Sequence, residues 1–456
     1  FFLIRYSLPF QMMLSWSDQY CCNDVEATEA VWNKLEDSDW VSRIVLSELS
    51  GLSVNESTNN HTQQIIFGND KHPQKEFNYP DLSKEFPGYT FNQFEPDKSK
   101  RSLYKGVYTK EGGWAHGEPG IWYNCALLDV NSMHPSTAKA LNIFGDRYTA
   151  RYYALVETRL HIKHGEIDEA RAMFDGAIGR IMDKYGFSIK KLDKALKVPI
   201  NAVYGLTSAS FPNRCRDPRN IDNVVAKRGA LFMVNLREEV NKRGFEIAHV
   251  KTDSVKIPNA TPEIIQFVME YGKKYGYTFE HEATYEKMCL VNDAVYIAKY
   301  QSVEWCQEHY GYIPKDNKEA AEEGHVWTAT GTQFQVPYVF KTLFSHEPIE
   351  FADMCETKST SGNGEIYICD NENETFVGRV GLFCPMKTHG GALTRIDSEN
   401  GKRGAVTGTK GYLWMESENV KNEGLNDDID ISYYGRLCDD AVATIEKYGS
   451  FEEFVA

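Results

Sequence analysis

Two aspartates stand where a carboxylate is costly unless something answers its charge. Asp129 ends the apolar run IWYNCALLDV at 121–130, and Asp253 sits in a turn between FEIAHV and SVKI. An acid in either place must be solvated, paired or metal-bound. Two acids facing each other from adjacent strands repel unless divalent cations neutralise them, which is the arrangement used for in-line phosphoryl transfer. Mg²⁺ suits such a pair, because it takes a few carboxylates and completes its shell with phosphates and water. Read singly, either aspartate is equally a turn or capping residue.

A second set of groups is cationic. Arg159 and Lys163 in R-L-H-I-K are four apart, so a helix puts them on one face. That pair suits a triphosphate, and it also suits a solvated surface. From Ile181 to Lys256 there are nine Lys and six Arg against eight acids, a balance of +7 in a chain of net charge −15. The remainder therefore carries −22. Such a total argues against a general nucleic-acid coat, since phosphate neutralisation needs Lys and Arg. A basic middle within an acidic chain fits an enzyme that grips nucleic acid in one place. A patchily charged surface would give the same numbers. His161 and His164 lie near Glu166 but lack the i, i+4 spacing of helical metal ligands, and read as surface. Gly390-Gly391 and Gly362–Gly364 are followed by no G-K-[ST] and read as loops.

These groups need a scaffold, and 456 residues allow two to four domains. The 42% hydrophobic content fits a folded chain, with no run near the ~20 apolar residues that span a bilayer. The opening FFLIRYSLPFQMML is broken by Arg5, Ser7 and Pro9 and has no signal-peptide flanks. Phe1 in place of Met reads as the start of a fragment or trimmed chain. The ten cysteines form no C-x-x-C pair, so reduced thiols are expected rather than a zinc site or disulfide framework.

Periodicity predicts one helix over 20–48, carrying Val25, Ala27, Val31, Trp32 and Leu35, then an irregular region over 54–120. Residues 121–130 read as a buried strand. Helices are expected over 136–171 and 188–206, with a further segment at Ile178–Tyr185, and an amphipathic helix over 221–243. Two short strands flank the turn Lys251-Thr252-Asp253, and more strands follow at 285–300. From about 301 helix mixes with a Gly-rich β pattern, ending in an acidic helix. There is no internal repeat.

Three segments share one resemblance. DVNSMHPS at 129–136 resembles the D-x-x-S-L-Y-P-S signature of family B DNA polymerases. KVPINAVYG at 197–205 resembles their K-x-x-x-N-S-x-Y-G helix, and HVKTDS at 249–254 resembles their Y-G-D-T-D-S turn. All three occur in the family's order, and the likeness, covering roughly 100–300, is to the compact polymerases of tailed bacteriophages.

The resemblance implies roles. Asp129 and Asp253 would bind two Mg²⁺ ions, for which Mn²⁺ can substitute, with help from the Val130 carbonyl and from Glu286 as an auxiliary carboxylate. Backbone amides of Ser132 and Met133 would cradle the triphosphate at a helix start. His134 stands where the family has the Tyr that excludes a ribose 2′-hydroxyl. Arg159, Lys163 and Lys197 would contact the triphosphate, Lys197 also acting as catalytic proton donor. Asn201 would support them, and Tyr204 would pack beneath the nascent base pair. Tyr104, Gly205, Thr252, Lys299 and Tyr300 would contact DNA. Ala298 occupies the position of the family's primer-contacting lysine, and Lys251 replaces the first aspartate of the turn.

The implied fold is α+β, a right hand with palm (121–150 and 206–300), helical fingers (151–205) and a thumb and C-terminal region (301–456). Residues 49–120 would be a linker and palm-associated region. Tyr20 and Asp24 in YCCNDVEATEAV resemble the third exonuclease motif, so 1–48 would be a remnant of a 3′–5′ exonuclease domain and proofreading is not expected. The implied activity is that of a DNA-directed DNA polymerase in phage genome replication. Its partners would be primer-template DNA, dNTPs and other phage replication proteins, in the cytoplasm of an infected bacterium and without a membrane. The rivals are a degenerate polymerase fold that only binds nucleic acid, a carboxylate-metal nuclease, and a reverse transcriptase or RNA polymerase with a similar palm.

Overall fold

The structure, a computed structural model, describes residues 10–35, 39–110, 112–370 and 373–456, with the side chains of 10–20, 23 and 24 outside that description. Helix and strand are mixed, the α+β class expected from the sequence. The chain divides into two compact units. One comprises Phe1–Trp114, Val130–Asn235 and Gly272–Thr278, and the other Ala115–Asp129, Leu236–Tyr271 and Phe279–Ala456.

The first unit is mainly helical. In place of the single helix expected over 20–48 there are α1 (Phe10–Leu35) and α2 (Val41–Ser50). Residues 36–38 of that expected helix lie outside the described residues. The region read as irregular contains α3 (Thr58–Phe67), started by Ser57, whose Oγ accepts from the Asn60 amide at 3.2 Å. Its buried face includes His61, Thr62 and Gln63, so polar burial hid the apolar period. A meander of β1 (Thr90–Phe91), β2 (Ser102–Tyr104) and β3 (Val107–Tyr108) follows.

The helix expected over 136–171 is divided. Its residues fall on α4 (Met133–Ala140), α5 (Gly145–His164) and α6 (Ile167–Tyr185). α5 ends at Gly165, whose φ of 77° is the left-handed stop that glycine adopts without strain. α7 (Ile189–Ser208) begins on the Ser188 cap, and α8 (Val224–Asn241) closes the series. Leu155, Val156 and Ile162 of α5 pack with Leu192, Leu196 and Ile200 of α7 and with Val41 and Val45 of α2. The spacing of three and four is the helical stripe, and each fully buried leucine contributes about 2 kcal/mol. The Tyr152 hydroxyl donates to the Ile200 carbonyl at 3.0 Å and fixes the contact of α5 with α7.

The second unit is built on a seven-stranded sheet. Its strands are β4 (Ala115–Gly117), β5 (Gly120–Val130, the last residue passing to the first unit), β6 (His249–Lys251), β7 (Ser254–Ile257), β8 (Phe279–Leu290), β9 (Tyr296–Tyr300) and β10 (Trp327–Thr330). They lie in the order β10-β9-β8-β5-β7-β6-β4. Alternation gives the sheet two faces. Cys289, Ile297 and Trp327 pack beneath helices carrying Phe334, Phe344, Ala441 and Ile445. Cys125, Leu127, Tyr285, Tyr296 and Ala298 cluster on the other face. Beyond the sheet, residues 356–416 form a three-stranded and a four-stranded antiparallel sheet around the buried Trp414. There the Cys355 and Cys384 sulfurs lie 3.4 Å apart, and all ten cysteines are free thiols. Among the described residues no helix is long and apolar enough to cross a membrane.

Candidate active site

Strand register sets Asp129 level with the loop that carries Asp253. β5 runs antiparallel to β7, with Asp129 opposite Ser254, the residue after Asp253. β6 and β7 form a hairpin in which Lys251 pairs with Ser254, leaving Thr252 and Asp253 as the two-residue loop. The Asp253 amide donates to the Lys251 carbonyl at 2.7 Å, and Thr252 has φ 59°. Tight hairpin loops ask for positive φ, which Gly or Asn adopts and a β-branched residue resists.

Burial pushes the Asp253 carboxyl above its ordinary range. Among the described residues no cationic side chain forms an ion pair with it. An acid held in this way fits a hard divalent cation, which would supply the missing charge. The described residues contain no group of three or more His, Cys, Asp or Glu placed to hold a metal. A cation here would therefore rest on two carboxylates and a backbone carbonyl, with substrate oxygens completing its shell. Glu286 is already engaged, 3.2 Å from the Lys299 ammonium and 3.9 Å from that of Lys287.

Sequence reasoning missed a basic residue on the same face. Lys256 pairs with Leu127 across the β5–β7 ladder, so it shares the face of Asp129 and Cys125. Its side chain is buried, with Nζ 3.2 Å from His249 Nδ1 and 4.6 Å from the centre of the Tyr296 ring. His249 Nε2 donates to the Asp293 carbonyl at 3.1 Å, which leaves Nδ1 to accept from the lysine. Burial lowers the Lys256 pKa to about 8 and that of His249 to about 3. The alternation of S-V-K-I was the available signal, since it places Lys256 on the face of Ser254. Lys251 is exposed.

In the helical unit the predicted nucleotide-binding residues lie on α4, α5 and α7. Arg159 of α5 is half-buried and ion-paired with Asp193 of α7, Nε to Oδ1 at 3.0 Å. Lys163, one turn on, donates to Asn131 Oδ1 at 3.1 Å. Asp193, Lys197, Asn201 and Tyr204 follow at helical spacing along α7, and Lys197 and Asn201 are exposed. Pro199 within this helix removes one internal amide donor.

Ser132 has φ 52° and stands before α4 without capping it through its side chain. The His134 ring lies 4.1 Å from the Tyr204 ring. Burial lowers the His134 pKa to about 4, so the ring is neutral near pH 7, and its Nδ1 has no partner among the described residues. The Tyr204 hydroxyl accepts from Asn223 Nδ2 at 3.2 Å. Gly229 of α8 lets Met133 approach: a Cβ there would sit 2.7 Å from the Met133 sulfur.

The remaining residues are scattered in role. Tyr104 is buried and donates to Asn235 Oδ1 at 2.7 Å, so its hydroxyl serves packing. Gly205 is exposed and Thr252 half-buried. Besides Glu286, Lys299 meets the Ala456 carbonyl at 3.5 Å, and the Tyr300 ring lies 5.5 Å from that of Tyr285. Tyr20 and Asp24 are on α1, with side chains outside the described residues. His161 Nδ1 lies 2.6 Å from Glu166 Oε2, so the ring is engaged within its own helix–loop segment.

No family model and no curated protein matches the chain. Among solved structures it is similar to a family B DNA polymerase from the hyperthermophilic archaeon Pyrobaculum calidifontis, with a TM-score of 0.40 and 14% identity. The match covers 93% of this chain and 55% of that one, so this chain spans about half the length of the archaeal polymerase.

Proposed function

We propose that the chain is a template-directed DNA polymerase of the family B type that adds dNMP to a primer 3′-hydroxyl. The observation that carries this reading is the β5–β7 register, which sets Asp129 beside the Asp253 loop, where a partly buried carboxyl lacks a cationic partner among the described residues. The motif order in the sequence supports the same reading. Strands β5 to β9 of the seven-stranded sheet would be the core of a palm and helices α5 to α7 the fingers. The proposed boundaries remain 121–150 and 206–300 for the palm, 151–205 for the fingers and 301–456 for thumb and C-terminal region. Residues 49–120 would join the palm, and 1–48 would be what is left of an exonuclease.

When bound, two Mg²⁺ ions would lower the primer hydroxyl pKa and stabilise the leaving pyrophosphate. Asp129, Asp253 and the Val130 carbonyl would hold them. Lys163, Lys197 and Arg159 would bind the triphosphate, with Asp193 aiming the Arg159 guanidinium. The exposed Lys197 would give a proton to the departing pyrophosphate. Ser132 and Met133 would offer backbone amides at the start of α4. His134 and Tyr204, with rings tilted by 55° and 4.1 Å apart, would form the wall against which the sugar and base sit. A neutral His134 adds no charge to that wall. The setting proposed is phage genome replication in a bacterial cytoplasm.

The test is primer extension on a DNA template with dNTPs, rNTPs, Mg²⁺ and Mn²⁺ compared. Extension that disappears in Asp253→Ala while duplex binding persists is expected. Extension by Asp253→Ala at the wild-type rate would sink the mechanism. A second reading, a degenerate polymerase fold that only binds nucleic acid, is favoured by two lysines at the carboxylates, Lys251 exposed and Lys256 buried. Nucleic-acid binding without extension under either metal would select it.

A further inference from the structure

In the second unit, beyond the seven-stranded sheet, two cysteines face each other across a pair of strands. Strand Glu356–Ser359 runs antiparallel to strand Val380–Met386, with Glu356 opposite Phe383 and Thr357 opposite Leu382. One step further along the same register, Cys355 falls opposite Cys384. The Cys355 amide donates to the Ala352 carbonyl at 3.2 Å, so it is not spent on Cys384. The two residues thus do not exchange both backbone bonds, and facing residues of that kind bring their α-carbons to about 4.5 Å. A disulfide spans about 4.4–6.8 Å between α-carbons, so opposite positions of this kind suit one. The two sulfurs lie 3.4 Å apart.

The surroundings give the two thiols different parts. The Cys355 thiol donates to the Phe351 carbonyl at 3.2 Å, which leaves its sulfur to accept from the Cys384 thiol. That second hydrogen bond, helped by the charge of Lys421, lowers the Cys355 pKa against burial and the Asp353 carboxylate. The Lys421 ammonium is held near by, 4.7 Å from the centre of the Phe351 ring. The same hydrogen bond, with burial, pushes the Cys384 thiol up. Cys355 is 9% exposed and Cys384 is fully covered, with Met386, Val420 and Ile429 packed around the pair. A small polar oxidant can therefore reach Cys355 and not Cys384, and the thiolate is the form that reacts.

We propose that Cys355 and Cys384 are a reversible oxidation site that a peroxide converts to a disulfide. The Cys355 thiolate attacks one oxygen of hydrogen peroxide, the O–O bond breaks, and the hydroxide that leaves takes up a proton as water. Cys355 is then a sulfenic acid. The Cys384 thiol attacks that sulfur, the S–O bond breaks, and the departing hydroxide takes the Cys384 proton as a second water. Two thiols lose two electrons and one peroxide gains them. A dithiol reverses the step by exchange, ending as its own disulfide and returning both cysteines to thiols. The bond would tie together the two ends of residues 356–383, a segment that holds the paired strands Gly364–Cys369 and Glu374–Gly378. No residue of the polymerase reading takes part, so the proposal and that reading stand or fall separately.

The test is made on the full folded chain. Hydrogen peroxide is added, remaining thiols are blocked with N-ethylmaleimide in urea, and the band of single-chain mass is digested without reductant for mass spectrometry. The peptides carrying Cys355 and Cys384 should appear as one species, two hydrogens lighter than the sum of the free thiols, and dithiothreitol should separate them. Both cysteines recovered as maleimide adducts, or a link formed only when peroxide is added in urea, overturns the proposal. Two variants test the order of attack, with thermal melting to check their fold. In Cys384→Ala, dimedone should trap a sulfenic acid at Cys355, and in Cys355→Ala, Cys384 should stay a thiol. The reverse labelling, or none in either variant, overturns that order, and the mapping of the wild-type chain decides the pair without them.

Discussion

The carboxylate hairpin and the cationic face of α5 and α7 solve opposite problems. Asp129 and Asp253 are set by a ladder of backbone hydrogen bonds, half-buried, in a region whose second lysine is fully buried. Lys163, Lys197 and Asn201 stand in solvent on helices, with one ion pair between Arg159 and Asp193 holding the two helices in register. The sheet therefore stores an unfavourable charge at fixed geometry, whereas the helices keep favourable charges cheap and adjustable. Removing a group from the first region should cost chemistry and help folding. Removing one from the second should cost binding and leave folding alone.

Asp253→Asn is the largest break in that contrast. Extension should fall by about 10³-fold or more, the scale of losing a main electrostatic group in a transition state. Melting temperature without metal should rise, because Asn carries no charge to bury. The sign follows from linkage. Burial raises the folded-state pKa of Asp253, so its ionisation weakens the fold increasingly as pH rises from the ordinary carboxylate range up to that raised pKa, and fully above it. A variant that loses both activity and stability would contradict the comparison.

Lys197→Ala is next. Its extension rate should fall about 10²-fold, again by loss of transition-state charge stabilisation, with an unchanged melting curve. The side chain is exposed at the middle of α7. Single-turnover kinetics separates the chemical step from binding.

Both regions were partly legible. The β5 strand, the Lys251–Asp253 turn, α7 and α8 follow from apolar period and length, and the first three carry Asp129, Asp253, Lys197, Asn201 and Tyr204. The stop at Gly165 did not follow, because the residues on either side keep helical composition, whereas the separate segment expected at Ile178–Tyr185 lies after the kink at Met173–Gly176 within α6. α3 was hidden because His61, Thr62 and Gln63 sit inside it. Lys256 was overlooked because a lysine is read as surface by type, and only its pairing with Leu127 turns it inward. The burial of Tyr104 has the same character: a polar tip satisfied by Asn235 cannot be told from a free one in sequence.

Smaller effects sharpen the picture. His134→Ala should lower discrimination against ribonucleotides by about tenfold, the worth of a modest shape contact in a pocket. Competition between dNTP and rNTP in one extension assay reads it, and an unchanged ratio assigns the gate elsewhere. Asp193→Ala frees Arg159 and should raise the dNTP KM a few-fold with kcat nearly kept, since a half-buried pair of this kind contributes about 1 kcal/mol.

In the helical unit, burial raises the Asp222 pKa to about 6. Its ionisation therefore opposes folding progressively between about pH 4 and 6 and fully above that. Asp222→Asn should stabilise the chain by about 1–2 kcal/mol at pH 7 and by nothing near pH 4. Thermal melts of both proteins across that range check it.

Thr252 has a consequence for anyone engineering this chain. Its backbone occupies a left-handed conformation that a branched side chain resists, at about 1 kcal/mol or more. Glycine or asparagine at 252 is thus an obvious choice for heat tolerance. It would also alter the backbone of the loop that carries Asp253, so a selection run only on survival after heating would drift towards sturdier and slower proteins at this one residue.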